Sequence, residues 1–176
     1  MSIYEQIKEF NELYKLPVNK FPTLDIGTDV ATRLGNFKQI LLKEIDEIDD
    51  IIKKVENTKG LENSSVLTEL ENDVLTDLSD LLGDIQVYCL SEMCKFGLRA
   101  DNVLEIIMAS NMSKLGADGL PIYDAQGKVQ KGPNYWKPEP LILRYTKAVR
   151  KYELDGDVDA FDEEMKSMSA ILYRKE

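Results

Sequence analysis

The 176 residues predict an all-α protein: a helical bundle around two long antiparallel helices, with a Gly/Pro-rich loop and two extra helices at the C-terminal end. Three observations carry this. Apolar residues recur every three or four positions across residues 29–55 and 66–96. A polar connection containing Gly60, Asn63, Ser64 and Ser65 joins those stretches and has the length usual between bundled helices. Four Gly and four Pro are gathered between positions 116 and 140, where helical periodicity stops.

Each element follows from its own pattern. Ile3, Ile7, Phe10 and Tyr14 give residues 2–16 an amphipathic helix with Ser2 as N-cap, and Pro17 and Pro22 then mark an extended link. Leu34, Phe37, Leu41, Ile45, Ile48, Ile52 and Val55 form the stripe of the first long helix. Leu75, Leu78, Leu82, Ile85 and Cys89 form that of the second, which Gly97 stops. Asp101 is expected to cap a helix through Val103, Leu104, Ile107 and Met108 that ends near Leu115. The segment 116–140 reads as a structured loop with a small hairpin over residues 122–129. Helical spacing resumes over 141–154 and 158–173, and the Asp155-Gly156-Asp157 segment between them reads as a capping loop. It fails as an EF-hand, because Ala160 stands where that loop needs Gly and Lys166 where it needs Glu.

Composition narrows the chemistry. The length suits one core with appendages, no apolar run is long enough for a membrane span, and the first twenty residues lack a signal-peptide pattern, so a cytoplasmic protein is expected. Histidine is absent, which removes Ser-His-Asp and Cys-His catalysis and the His-bearing zinc and iron sites. Cys89 and Cys94 are too few for a disulfide framework and read as buried thiols. The net charge of −10 disfavours a nucleic-acid partner. That charge is concentrated: between Glu44 and Asp84 there are 13 acids, three lysines and no arginine.

Within this acidic stretch Glu44 and Glu47 border the stripe of the first long helix, and Asp80 and Asp84 stand one turn apart on the second. Acids three or four residues apart share a helix face, so two antiparallel helices can converge four carboxylates on one point. Such acids repel unless a cation sits between them, and an all-oxygen donor set suits Mg²⁺, with Mn²⁺ the other candidate. A single acidic pair is ordinary on a solvated face. Two pairs bordering apolar stripes on adjacent helices point to a cation site.

The run Leu41-Leu42-Lys43-Glu44-Ile45-Asp46-Glu47 followed by Asp80-Leu81-Leu82-Gly83-Asp84-Ile85 resembles the all-α nucleoside triphosphate pyrophosphohydrolases of the MazG type, which carry an ExxE and a later ExxD motif. Asn111-Met112-Ser113-Lys114, Asp118-Gly119-Leu120-Pro121-Ile122-Tyr123 and Lys131-Gly132-Pro133-Asn134-Tyr135 resemble the branch that includes phosphoribosyl-ATP pyrophosphohydrolase-like proteins and a MazG-like dUTPase. The resemblance covers about residues 4–138 and suggests a division into a MazG-like domain, 1–138, and a C-terminal helical extension, 139–176. One position departs from it: the Glu of ExxD is Leu81 here, and Asp80 is the nearest acid that can serve in its place.

The resemblance implies a Mg²⁺-dependent hydrolysis of a nucleoside triphosphate to its monophosphate and pyrophosphate, in nucleotide-pool or house-cleaning service. It places Glu44, Glu47, Asp80 and Asp84 at the metal. Glu47 is expected to orient the attacking water or take its proton. Asn111, Lys114, Lys131 and Tyr135 are the expected substrate contacts, the lysines toward phosphate and Asn111 toward phosphate or sugar, while Tyr135 and Trp136 either stack on a base or, as aromatics between prolines more often do, anchor the loop. A homodimer or dimer of dimers is expected, since the long helices are apolar on more than one side. Two other readings are phosphoribosyl-ATP hydrolysis and a helical interaction protein whose site has lapsed, the latter motivated by Leu81.

Overall fold

A computed structural model describes residues 1–59 and 64–173. The described chain is all-α, with six helices: α1 (Ile3–Leu13), α2 (Val30–Thr58), α3 (Ser64–Lys95), α4 (Ala100–Met112), α5 (Pro138–Asp155) and α6 (Val158–Leu172). The expected polar connection after Asn57 falls partly on residues 60–63, outside the described residues.

The helices gather into two compact units. The first comprises residues 1–18 and 24–96, the second residues 19–23 and 97–176. The expected boundary at 138/139 lies inside the second unit, because α4 contributes Ile106 to the same buried cluster as Leu141, Tyr145 and Val149 of α5 and Met168 of α6. The C-terminal helices thus complete a core that α4 begins.

In the first unit, Ser2 caps α1 through a reciprocal box. Its hydroxyl accepts from the Glu5 N–H at 3.3 Å, and the Glu5 carboxylate accepts from the Ser2 N–H at 2.9 Å. The helix buries Tyr4, Ile7 and Asn11, so of the expected stripe only Ile7 is inward while Ile3, Phe10 and Tyr14 are exposed. Asn11 is wholly buried against α3, where its amide donates to the Ser91 carbonyl at 3.3 Å and accepts from the Ser91 hydroxyl at 2.8 Å. The Asp29 carboxylate caps α2 by accepting from the Thr32 N–H at 2.7 Å.

Helices α2 and α3 run antiparallel, as cross-pairs Arg33 to Glu92, Glu44 to Tyr88 and Lys54 to Asp77 show. The seam differs from the one that periodicity picks out. Glu44 and Leu81 are buried in it, whereas Leu34, Ile45, Ile48, Ile52, Val55, Leu75, Leu78 and Leu82 lie exposed. Long helices with more than one apolar row can bury only one row against a single partner. Cys94 is buried as expected, while Cys89 is only partly so.

In the second unit α4 starts at Ala100 with Arg99 at the N-cap and no side-chain cap, so the expected cap Asp101 sits in the first turn instead. There its charge complements the helix dipole. Gly97 has φ +66°, and a Cβ there would meet the Phe21 carbonyl oxygen at 1.9 Å, so only glycine fits. The loop after α4 contains the expected hairpin: Tyr123 pairs with Val129, and the Asp124 carboxylate accepts from the N–H groups of Gln126 and Lys128 and from the Gln130 amide. Between α5 and α6, Gly156 adopts φ +67° and Asp157 accepts from the Ala160 N–H at 3.0 Å, so the capping loop forms as expected.

Candidate active site

The middle of the α2/α3 seam places Glu47, Asp84 and Asp80 within electrostatic reach of Glu44. Glu44 has 8% of its surface exposed. Burial raises its carboxyl above the ordinary range, and the charges of Glu47, Asp84 and Asp80 raise it further, in that order. Glu47 and Asp80 are exposed and Asp84 is half-buried, so one buried carboxylate backs three that face solvent. Among the described residues no three Asp, Glu, His or Cys side chains are already placed to hold a metal ion. The charges of Glu47, Asp84 and Asp80 act on Glu44, yet the four side chains do not gather on one point.

Leu81, at the position where the family pattern has Glu, is 3% exposed. It packs in the helix seam as an apolar residue. Asp80 is turned one position round the helix to the solvent side. Asp77, a turn earlier, is taken up in an ion pair with Lys54.

Tyr88 was not among the sequence candidates. Its hydroxyl donates to the Glu44 carboxylate, and it is raised above the ordinary tyrosine value by burial first and then by the charges of Asp84, Glu44 and Glu47. The signal was available in the spacing: Tyr88 follows Asp84 by four residues and so continues the same row of α3.

The second unit holds Asn111, Lys114, Lys131 and Tyr135. The ammonium of Lys114 donates to the Asn111 side-chain oxygen at 2.7 Å, so the one-turn spacing does pair them. Lys131 lies with its nitrogen 4.5 Å from the centre of the Tyr135 ring, an arrangement that uses the ring face expected to meet a base. The two motif segments are stitched together by backbone. Ser110 donates to the Trp136 carbonyl at 2.8 Å, the Trp136 N–H donates to the Ser113 hydroxyl at 3.2 Å, and the Gly132 N–H donates to the Lys114 carbonyl at 2.9 Å. A Cβ on Gly132 would stand 1.9 Å from the Leu115 carbonyl oxygen, which accounts for glycine at that place.

No family model matches the chain, and no curated protein matches it. Among solved structures, a crystal structure of a protein from Exiguobacterium sp. 255-15, proposed to be an NTP pyrophosphohydrolase, is similar at 23% identity and a TM-score of 0.40, over 86% of this chain and 97% of that one. A likeness of that degree assigns no activity to this chain. No described helix is long and apolar enough to cross a membrane.

Proposed function

We propose that this chain is a metal-dependent nucleoside triphosphate pyrophosphohydrolase, cleaving between the α and β phosphates to give a monophosphate and pyrophosphate. The observation that carries the reading is the buried Glu44 carboxylate, raised by burial and then by the charges of Glu47, Asp84 and Asp80, with no basic residue among the charges that act on it. A fold does not maintain such repulsion without something to offset it. The donor set is all oxygen, which fits Mg²⁺ or Mn²⁺ in chemistry, and Glu44, Glu47, Asp80 and Asp84 are the residues that would hold such an ion.

When bound, a divalent cation supplies neutralisation of the phosphate charge and a lowered pKa for water. The protein's residues have separate tasks. Tyr88 holds the Glu44 carboxylate in one orientation by its hydrogen bond. Glu44, Asp84 and Asp80 present oxygens, and Glu47, exposed and flexible, orients the attacking water and accepts its proton at a carboxylate oxygen. Asn111, Lys114 and Lys131 contact phosphate oxygens.

By the resemblance to the dUTPase-like branch the substrate is a deoxynucleotide of the cytoplasmic pool, a pyrimidine ahead of a purine. The exposed apolar row of α2, with Ile45 at 51% and Ile52 at 49%, gives a surface for a homodimer or dimer of dimers, and light scattering at micromolar concentration tests this. The deciding assay measures pyrophosphate from each common deoxynucleoside triphosphate and from phosphoribosyl-ATP. Release with Mg²⁺ or Mn²⁺ and none with chelator is expected. Orthophosphate in its place would overturn the bond assignment, and no hydrolysis with either metal would favour the lapsed-enzyme reading that the buried Leu81 motivates.

A further inference from the structure

Helices α2 and α3 meet on rows that are not their most apolar ones. On α2, Arg33, Glu44 and Ile51 are buried or half-buried, while Leu34, Ile45 and Ile52, each one residue later, are exposed. The same offset runs along α3, where Val74, Asp77 and Leu81 are buried or half-buried and Leu75, Leu78 and Leu82 are exposed. One residue is about 100° of helix. Turning each helix by that angle would exchange one row for the next. The seam would lose Phe37, Leu67 and Leu70 to Lys38, Thr68 and Glu71. It would gain an apolar residue at each place now held by Arg33, Glu44, Asp77, Asp84, Glu92 and Lys95. On balance the hydrophobic effect favours the turned arrangement over the one the protein adopts.

The contacts that oppose it are gathered where α3 ends. Arg33 of α2 donates from Nε to the Glu92 carboxylate at 3.0 Å, and the Lys95 ammonium lies 2.6 Å from the same group, with Glu92 and Lys95 both buried. Ser91, one residue before Glu92, faces the wholly buried Asn11 of α1, donating to its side-chain oxygen at 2.8 Å and accepting from its amide at 3.3 Å. Adjacent residues of α3 are thus tied to both other helices of the unit. Turning α2 alone would take the guanidinium from a buried carboxylate, and turning α3 alone would part Ser91 from a buried amide, each a costly loss. The other contacts across the seam do not choose this rotation. Lys54 and Asp77 pair in solvent, where an ion pair contributes little. Glu44 has its hydrogen bond from Tyr88 but stands among the charges of Glu47, Asp84 and Asp80, which work against its place in the seam.

We propose that the Arg33, Glu92 and Lys95 cluster, with Asn11 and Ser91 fixing α3 beside it, is a rotational lock that chooses the faces on which α2 and α3 meet, holding Glu44 inside the seam and the more apolar stripes outside it. Selecting one packing among several, at some expense of stability, is the best-attested use of buried polar groups. The lock acts on the fold itself and does not depend on the hydrolysis reading.

The Tyr88 to Glu44 contact, one turn from Glu92, reports the rotation in the full-length protein. In the parent a nuclear Overhauser effect should connect the Tyr88 ring to the Glu44 side chain. In Arg33→Met/Glu92→Leu/Lys95→Met, which removes the charges and keeps the bulk, helical circular dichroism should persist, the unfolding temperature should stay level or rise, and that Overhauser effect should vanish. Lys54→Met/Asp77→Leu, which removes the exposed pair, should leave it in place. Adding Ile45→Gln and Leu82→Gln to the triple variant takes away the competing stripes and should bring it back. A triple variant that stays helical and keeps the Tyr88 to Glu44 effect overturns the proposal, because the row is then set without the lock. If the triple variant loses its helix, Arg33→Leu/Glu92→Met/Lys95→Leu repeats the reading with less bulk. Loss of helix there as well overturns the proposal, since the cluster would then hold the helices together rather than choose their faces.

Discussion

Two stretches of the α2/α3 seam, about 12 Å apart along α3 by the rise of a helix, handle charge in opposite ways. At one, the charges of Glu47, Asp84 and Asp80 act on the buried Glu44 with no cation among them. At the other, Glu92 accepts from the Arg33 guanidinium and lies 2.6 Å from the Lys95 ammonium, all three carried on the same two helices. The second stretch is closed: its one carboxylate serves two cations, and Glu92 and Lys95 are nearly inaccessible. The first is open on the side of Glu47 and Asp80. A stretch with its counter-charges inside the fold supports structure; for the one that lacks them the proposed cation supplies the missing charge.

The largest effect that tests this contrast is on turnover. Glu47→Gln removes charge with little change of shape from an exposed position, so the fold should persist while pyrophosphate release falls by about 10³-fold or more. The same comparison can be made without activity. Mg²⁺ should raise the unfolding temperature of the parent protein, because an ion that binds only the folded state stabilises it, and should raise that of Glu44→Gln much less. Near-normal turnover in Glu47→Gln would show that the proton acceptor lies elsewhere.

The closed stretch should respond the other way. Glu92→Gln leaves two buried cations facing a neutral amide and should cost about 3–5 kcal/mol of stability, the usual penalty for removing one partner of a buried pair. Mg²⁺ should not change that loss, since the acids it binds are untouched. Urea denaturation with and without Mg²⁺ measures both. A loss close to zero would mean that the pair relaxes into solvent and that the stretch is not closed at all.

How far the sequence foretold these regions depended on what each signal encodes. Helix positions were legible to within a few residues because apolar spacing and caps such as Ser2, Asp29, Gly97 and Asp157 act locally. Which apolar row turns inward was not, because Ile45 and Ile52 satisfy the same periodicity as a buried row and only the partner helix decides between them. The four acids were legible as two pairs. Tyr88 was legible only as a position one turn after Asp84 on the same row, and the Arg33, Glu92 and Lys95 cluster was not legible, since both roles depend on a contact between helices that no spacing within one helix records. The loop between residues 116 and 136 was legible as a loop with a small hairpin. Its attachment to α4 by Ser110, Ser113 and Gly132 needs the folded backbone.

The smallest effect is the most diagnostic for the closed stretch, because its size changes with pH. Burial and then the Arg33 guanidinium push the Lys95 amine down from 10.5 to about 8. In the unfolded chain the amine holds its proton up to its ordinary value. Between about 8 and 10.5 the unfolded state therefore binds the additional proton, and this group makes stability rise with pH. Below about 8 both states hold the proton, and the cost of a second buried cation beside Glu92 is felt in full. Lys95→Met removes that cation and leaves Arg33 and Glu92 as a balanced pair, so at pH 7 it should stabilise the protein by about 1–3 kcal/mol. The gain over the parent should shrink steadily as the pH is raised toward 10, where the parent's amine is already neutral. Denaturation of both proteins across that interval measures the difference. A gain that stays level would mean that Glu92, 2.6 Å away, keeps Lys95 protonated in the folded chain throughout.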